Sequence, residues 1–301
     1  MRSGPIGVCE CTNAGYCRSA GKLSGVNRIS FASVERSDPR FERDGLRVIT
    51  VHSGALGRRA DICFWAPPIG TSPKTLPLLI LLHGSGGGAW SWPLIGSAHL
   101  TASRLVETGE IAPVALAMPS DGLWGLGSGY VPHTDADYER WIVEEVPAAA
   151  ALLDDRVTDS SPLTIAGLSM GGFGALRLGA KYPDRFRGIS AHSAVTTLGR
   201  LAETTGDRLD ALPGFGQPDG TALHWLEVNA PRLPPLRFDC GANDPLLASN
   251  RGLHAALDAR GIEHQYEEFA GGHDWLYWRL HLADSLRFLD GAATRALGAV
   301  Q

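Results

Sequence analysis

One serine between glycines is the residue of this chain best placed to act as a nucleophile. The segment 167–171, GLSMG, has the pattern G-x-S-x-G; the apolar run 163–166 precedes it and the small-residue stretch 172–180 follows it. This context predicts a strand, a sharp turn and a helix, with Ser169 on the turn and its hydroxyl accessible. The N-terminus of that helix would face any anion that forms beside Ser169.

A serine hydroxyl is a weak nucleophile at neutral pH, so it needs a base and a carboxylate that orients the base. Asp244 comes just after the strand-like run 236–240, and His273 follows the run 264–269 in a glycine-rich loop. The carboxyl ends of parallel strands meet at one edge of a sheet. The chain order serine, aspartate, histidine is that of an α/β-hydrolase. We therefore expect Ser169, Asp244 and His273 to form a catalytic triad.

Other histidines and one other aspartate compete for these roles. His192 follows the strand directly after the elbow helix, too early for the base in this chain order, and we assign it to the substrate pocket. Asp239 lies inside a predicted strand, which favours a structural role. The remaining candidates are expected at the surface or in the loop packing: His133, His224, His254, His264 and His281.

Attack on a carbonyl also needs N–H groups that stabilise the oxyanion. One is expected from the Met170 amide, directly after the nucleophile, and the other from the Ser85 amide in the loop 83–88, HGSGGG. The glycines of this loop allow its amides to turn inward. A phosphate-binding loop is the alternative, but neither G-x-x-x-x-G-K-[ST] nor G-x-G-x-x-G opening a helix is present.

Alternating strands and helices must position these groups. The pattern predicts one α/β domain with a mostly parallel central sheet, helices on both faces, an antiparallel hairpin at its start and a small insertion near residues 196–232. The predicted strands are 46–52, 60–65, 78–82, 114–118, 163–166, 188–192, 236–240 and 264–269, and the helices are 98–108, 138–153, 170–182, 250–260 and 280–297.

The first 43 residues are polar and aperiodic, so we expect a disordered extension over 1–43 and a catalytic domain over 44–301. Three cysteines, Cys9, Cys11 and Cys17, lie in the extension. A zinc site there would need a fourth ligand, and no histidine or cysteine follows at suitable short range, so a redox-sensitive tail is the favoured interpretation. Cys63 and Cys240 lie in apolar runs and are expected to be buried.

Composition excludes several classes of partner. The chain has 301 residues, 44% of them hydrophobic, and a net charge of −5 without a basic stripe, which argues against nucleic-acid binding. It contains no apolar run of about 18 residues, so no membrane span is expected. The first 30 residues lack the apolar core of a signal peptide, which favours a cytoplasmic location. A homo-oligomer is compatible with the sequence.

Tryptophans near the predicted strand ends suggest the character of the pocket. Trp90, Trp124 and Trp275 would form aromatic walls with little charge, suited to a short apolar acyl group or an aromatic alcohol. A role in packing the loops is an equally good interpretation for each of these tryptophans.

Several motifs in order resemble those of the Putative esterase family of α/β-hydrolases. The resemblance covers about residues 46–290 and rests on the segments 81–87, 141–147, 167–172, 239–244 and 272–278. This family includes tributyrin-type esterases, S-formylglutathione hydrolases, feruloyl esterases, enterochelin esterases and mycolyltransferases. The resemblance implies the same triad and implies that no metal or organic cofactor takes part.

Together these features predict a serine carboxylesterase that hydrolyses small-molecule esters of short acyl groups through an acyl-enzyme. The histidine loop 271–279, GGHDWLYWR, differs from the S-formylglutathione hydrolase pattern and is nearer to tributyrin-type and siderophore esterases. The alternatives are an acyltransferase or a siderophore- or feruloyl-type esterase on the same triad. A non-catalytic binding protein on the hydrolase scaffold is a third alternative.

Overall fold

The computed structural model describes residues 29–68, 73–123, 125–206, 209, 212 and 214–298. The chain divides into two units, Met1–Ser30 and Phe31–Gln301, and every element below belongs to the second. The three cysteines of the N-terminal segment and the disorder expected for residues 1–28 lie outside the described residues.

Among the described residues, a nine-stranded sheet forms the centre of the second unit. Its strands are β1 (Val34–Arg36), β2 (Arg47–Ser53), β3 (Arg58–Trp65), β4 (Leu78–Leu82), β5 (Ala115–Pro119), β6 (Leu163–Leu168), β7 (Phe186–His192), β8 (Leu236–Gly241) and β9 (Gln265–Phe269). They lie in the order β1-β2-β3-β5-β4-β6-β7-β8-β9. The pairs β1–β2, β2–β3 and β3–β5 are antiparallel and all others are parallel. This is the predicted α/β-hydrolase architecture.

Helices cover both faces of the sheet. They are α1 (Ala98–Glu107), α2 (Tyr138–Arg140), α3 (Val146–Ala150), α4 (Met170–Lys181), α5 (Leu198–Thr205), α6 (Ala222–Val228), α7 (Leu247–Asp258) and α8 (Trp275–Gly298). A π-helical turn, Trp141–Glu145, joins α2 to α3. Helix α4 packs in the apolar core of one face, whereas α1 and α8 share the core of the other. None of the helices among the described residues is long and apolar enough to cross a membrane.

Apolar runs bounded by turn residues located the central strands correctly. Every residue of β4 is buried, as expected for a strand covered on both faces. Its pairing with β6 runs from Leu78 opposite Leu163 to Leu82 opposite Gly167, so the two strands end at the same level. The loop after β4 and the turn after β6 therefore lie side by side.

The sheet begins earlier than the sequence indicated, because β1 lies within the segment assigned to the extension. Val34 pairs with Val51 and Arg36 pairs with Ile49, so the fold begins before residue 43. All three residues of β1 are exposed, and an exposed edge strand carries no apolar alternation that would reveal it.

In its described residues, the predicted insertion between β7 and β8 contains the α-helices α5 and α6, which the sequence analysis did not identify. Threonine side chains cap both: Thr197 accepts a hydrogen bond from the Arg200 amide, and Thr221 accepts one from the His224 amide. Prolines and glycines around these short helices concealed their periodicity.

Cys63 and Cys240 are buried free thiols, as predicted. Burial raises the pKa of each thiol to about 12. Both are therefore protonated and unreactive near neutral pH.

Candidate active site

Ser169 occupies a strained turn between β6 and α4. Its backbone angles are φ 53° and ψ −117°, a region that residues with side chains rarely adopt. The Ser169 amide donates a hydrogen bond to the His192 carbonyl at 2.9 Å. The Ser169 carbonyl accepts hydrogen bonds from Phe173 and Val195, each at 3.1 Å. These bonds hold the turn, and the side chain projects from the end of β6.

Glycines are required on both sides of this turn because strand and helix approach too closely for a β-carbon. A β-carbon added to Gly167 would overlap the carbonyl group of Gly171. One placed on Gly171 would overlap the Leu82 carbonyl and lie 2.6 Å from the His83 carbonyl oxygen. The G-x-S-x-G pattern therefore corresponds to a physical contact between the start of α4 and the end of β4.

A continuous hydrogen-bonded chain connects the serine with the two side chains predicted to assist it. The Ser169 Oγ lies 3.0 Å from the His273 Nε2, and the His273 Nδ1 lies 2.8 Å from the Asp244 Oδ2. The Asp244 side chain is fully buried, whereas the His273 side chain is 26% exposed. The fold thus brings together groups that are separated by 75 and 29 residues in the chain.

Asp244 is held in a turn directly after β8. Its amide donates to the Gly241 carbonyl at 3.0 Å, and its Oδ1 accepts from the Leu246 amide at 2.7 Å. Burial raises the pKa of the Asp244 carboxyl, but the hydrogen bonds from His273 and the Leu246 amide outweigh it and hold the pKa below its ordinary value. The carboxylate is therefore ionised at neutral pH and accepts a hydrogen bond from the imidazole Nδ1–H.

The loop between β9 and α8 positions His273. Gly271 has φ 142°, and its carbonyl accepts a hydrogen bond from the Asn243 amide at 2.9 Å, which ties this loop to the Asp244 turn. The Trp278 ring stands edge-on to the imidazole, with ring centroids 4.9 Å apart. Asp274 caps α8 by accepting from the Tyr277 amide at 3.0 Å. The histidine is thus fixed by both its loop and the first turn of α8.

The structure brings Ser85 and Met170, the residues expected to supply the oxyanion donors, close together beside the serine turn. A β-carbon on Gly84 would lie 3.3 Å from the Ser169 β-carbon, so the loop after β4 abuts the serine. A β-carbon on Gly127 would overlap the Met170 sulfur and lie 3.4 Å from the Ser85 Oγ. Neither the Ser85 nor the Met170 amide donates a hydrogen bond to another group within the described residues. Both amides remain candidate donors to a substrate oxygen.

The loop that carries Ser85 is supported by a buried histidine and aspartate. The His83 Nε2 accepts from the Asp121 amide at 3.2 Å, and the Tyr130 hydroxyl donates to the His83 carbonyl at 3.0 Å. The Asp121 carboxylate accepts from the Leu123 and Ser128 amides at 3.1 and 3.0 Å. Asp121, which is 2% exposed, therefore organises the loop that follows β5.

The tryptophans expected in the substrate pocket differ in their surroundings. Trp90 is 49% exposed and stands beside the loop 84–88, where a β-carbon on Gly88 would lie 3.1 Å from its Nε1. Trp275 packs edge-to-face against Trp92 and Trp278, at 5.5 and 5.4 Å between ring centroids, so it supports the loop packing. Trp124 lies outside the described residues.

The assignment of His192 to the substrate pocket was wrong. This histidine is fully buried at the end of β7. Its Nδ1 lies 3.0 Å from the Asp239 Oδ1, and its Nε2 lies 2.8 Å from the Ser285 Oγ of α8. Every residue in the last part of β7 is buried, so the sequence offered no alternation to show which way the ring points.

A buried polar network around Asp239 fastens α8 to the sheet. The Tyr277 hydroxyl donates to the Asp239 carboxylate at 2.7 Å, and the Arg237 guanidinium lies 2.9 Å from it. Burial raises the pKa of Asp239, but His192 and Arg237 outweigh it and hold the pKa below its ordinary value. Asp239 thus has a structural role, as expected. The sequence analysis did not identify Tyr277 and Ser285 as its partners in this network, because nothing in the sequence indicates which group a helix hydroxyl will bond.

Comparison with known proteins decides the family. The family model described as "Putative esterase" matches residues 53–289, which is most of the chain. The chain belongs to this Putative esterase family. It is accordingly an enzyme, a serine hydrolase that acts on carboxylic esters, with the α/β-hydrolase fold.

Individual relatives agree with this family. An acetyl esterase of Caldicellulosiruptor saccharolyticus is 28% identical over 234 residues, which cover 72% of this chain and 84% of that relative. An iron(III) enterobactin esterase of Dickeya dadantii is 27% identical over 249 residues, 81% of this chain and 54% of that relative. This chain thus spans about half the length of the second relative. A ferulic acid esterase structure superimposes with a TM-score of 0.69 at 23% identity, covering 87% of this chain and all of that one.

Proposed function

We propose that this member of the Putative esterase family hydrolyses esters of short acyl groups through an acyl-enzyme formed on Ser169. The observation that supports it is the chain of hydrogen bonds from the Ser169 Oγ through the His273 imidazole to the Asp244 carboxylate. In this proposal Ser169 is the nucleophile, His273 the general base and Asp244 the group that orients the base.

In the acylation step, the Ser169 Oγ attacks the ester carbonyl carbon as the His273 Nε2 takes its proton. The carbonyl oxygen becomes an oxyanion, which the Ser85 and Met170 amides stabilise by hydrogen bonds. Collapse of this intermediate breaks the bond to the alcohol oxygen. The His273 Nε2 returns its proton to that oxygen, so the alcohol leaves neutral and Ser169 carries the acyl group.

In the deacylation step, a water molecule takes the place of the departed alcohol. His273 removes one proton from the water as its oxygen attacks the acyl carbon, and the same two amides receive the second oxyanion. The acid leaves, and the Ser169 Oγ recovers its proton from His273. Asp244 stays ionised throughout, since its lowered pKa favours the carboxylate.

A short acyl group is supported by the acetyl esterase relative, of which this chain covers 84%. An aromatic ester is the second candidate. It is favoured by the half-exposed Trp90 beside the glycine-rich loop. A flat acid could stack on this ring.

The test compares p-nitrophenyl acetate, butyrate and octanoate with methyl ferulate on the purified chain. We expect kcat/KM to be highest for acetate or butyrate and to fall with chain length. Ser169→Ala should lower kcat by at least about 10⁴ on every substrate. Hydrolysis that persists in this variant would reject the proposed nucleophile, and a preference for methyl ferulate would replace the short-acyl assignment by the aromatic one.

A further inference from the structure

A second group of histidine and carboxylate side chains lies apart from the site at Ser169. It consists of His254 and Asp258 on α7 and His264 just before β9. The His254 Nδ1 lies 2.8 Å from the His264 Nε2, and the Asp258 carboxylate lies 3.4 Å from the His254 Nε2 and 3.9 Å from the His264 Nε2. One ligand atom from each residue falls within 4.8 Å of the other two.

Local structure brings the three residues together. His254 and Asp258 are four residues apart on α7, so they lie on the same helical face, one turn apart. The chain turns back directly after the helix, with φ 65° at Gly261 and a hydrogen bond from the Ile262 amide to the Leu257 carbonyl at 3.0 Å. This turn returns His264 to the face that carries the other two.

The orientation of His264 is fixed by its other nitrogen. The His264 Nδ1 lies 2.7 Å from the Ile262 carbonyl oxygen, which can only accept, so Nδ1 carries the proton of the neutral ring. Its Nε2 then directs a lone pair at His254 and Asp258. The His264 side chain is 2% exposed and its ring stacks on Phe238. Metal-binding histidines typically have such a carbonyl partner on the nitrogen that does not bind the metal.

The second histidine is also held in place. The His254 ring stacks on Tyr266 of β9, with ring centroids 4.7 Å apart. Tetrahedral zinc with bonds of about 2.0–2.1 Å would hold two nitrogen ligands roughly 3.3 Å apart, so the rings would need to separate by only about 0.5 Å. Asp258 is 61% exposed, which leaves water access to a fourth position.

We propose that His254, Asp258 and His264 bind a divalent transition-metal ion of the zinc class. Two imidazoles and a carboxylate are ligands that such ions take readily. The ion would fasten the end of α7 to the start of β9. Because α7 follows the Asp244 turn and β9 leads to the His273 loop, this link would stabilise the part of the fold between these two residues.

The test uses the full-length chain without a histidine tag, freed of metal by chelation and dialysis. Calorimetric titration with zinc chloride should show one equivalent bound through this site. At a free zinc concentration about 100 times the dissociation constant, Tm should rise by about 5 °C. A chain that binds no zinc, with an unchanged Tm, would refute the proposal and leave only a hydrogen bond between the two rings.

Variants separate this site from adventitious zinc binding. His264→Gln and Asp258→Asn should lower zinc affinity by at least tenfold. The matched control is Asp284→Asn on α8, since Asp284 also pairs with a histidine, His281 at 3.1 Å, three residues away on its helix. It should bind zinc as the unchanged chain does. Zinc affinity that is unaltered by His264→Gln would overturn the assignment, whatever the outcome of the esterase assays.

Discussion

Replacement of Asp244 by asparagine tests the role of the buried carboxylate with almost no change in shape. The Asp244 Oδ1 accepts from the Leu246 amide at 2.7 Å, and the Oδ2 accepts from the His273 Nδ1 at 2.8 Å. Asparagine has one oxygen for these two positions. If that oxygen keeps the Leu246 amide, the NH₂ group faces His273; the opposite orientation sets the NH₂ against the Leu246 N–H.

The first orientation reverses the polarity of the imidazole. The His273 Nδ1 must then accept from the asparagine, so the ring carries its proton on Nε2 and donates to the Ser169 Oγ instead of accepting its proton. We expect kcat to fall about 10⁴-fold, equivalent to about 5 kcal/mol in the activation free energy. Because Leu246 keeps its partner, the fold should survive.

The assay is hydrolysis of p-nitrophenyl acetate at pH 8, with circular dichroism to confirm folding. Asp274→Asn is the matched control: this carboxylate is next to His273 in sequence but caps α8 through the Tyr277 amide. Asparagine caps helices as well as aspartate, so this variant should keep kcat within a few-fold. A folded Asp244→Asn enzyme within tenfold of the unchanged one would refute the proposed role of Asp244.

Three further outcomes follow from the packing and the buried charges. Gly171→Ala should yield little folded protein, seen as a low Tm and loss of activity, because its β-carbon would overlap the Leu82 carbonyl; a fully stable variant would contradict the close approach. Tyr277→Phe should lower the free energy of unfolding in urea by about 1–3 kcal/mol, since Asp239 loses a buried donor, and an unchanged value would show that this bond contributes nothing. Burial raises the pKa of Glu139, but its charged and hydrogen-bonded partners, Arg177 among them, outweigh burial and hold the pKa below its ordinary value of 4.5. The pKa of Asp239 likewise lies below its ordinary value of 3.8. The two ionised carboxylates therefore stabilise the folded state fully above those values, and this contribution should be lost as the pH falls below about 4. Measurement of Tm against pH in the acid range would test this, and a Tm that does not change with acid would contradict it.

Local pattern was sufficient to identify the catalytic candidates. Ser169 was recognisable because the glycines around it are required by a close contact between strand and helix, and that requirement is written in five consecutive residues. Asp244 and His273 were found because each follows a predicted strand, and parallel strands end at one edge of the sheet. Strand β1 was not predictable, because an exposed edge strand needs no apolar periodicity.

Side-chain direction inside the core was decided only by the tertiary structure. His192 lies at the end of β7 and His273 in the loop after β9, yet His192 turns into the core to meet Asp239 and Ser285, and His273 reaches Ser169. The pairing of β7 with β8 and the packing of α8 determine these directions, and both depend on residues distant in the chain. A sequence therefore specifies which side chains stand at a strand end. Which group each one contacts follows from long-range packing that no local spacing encodes.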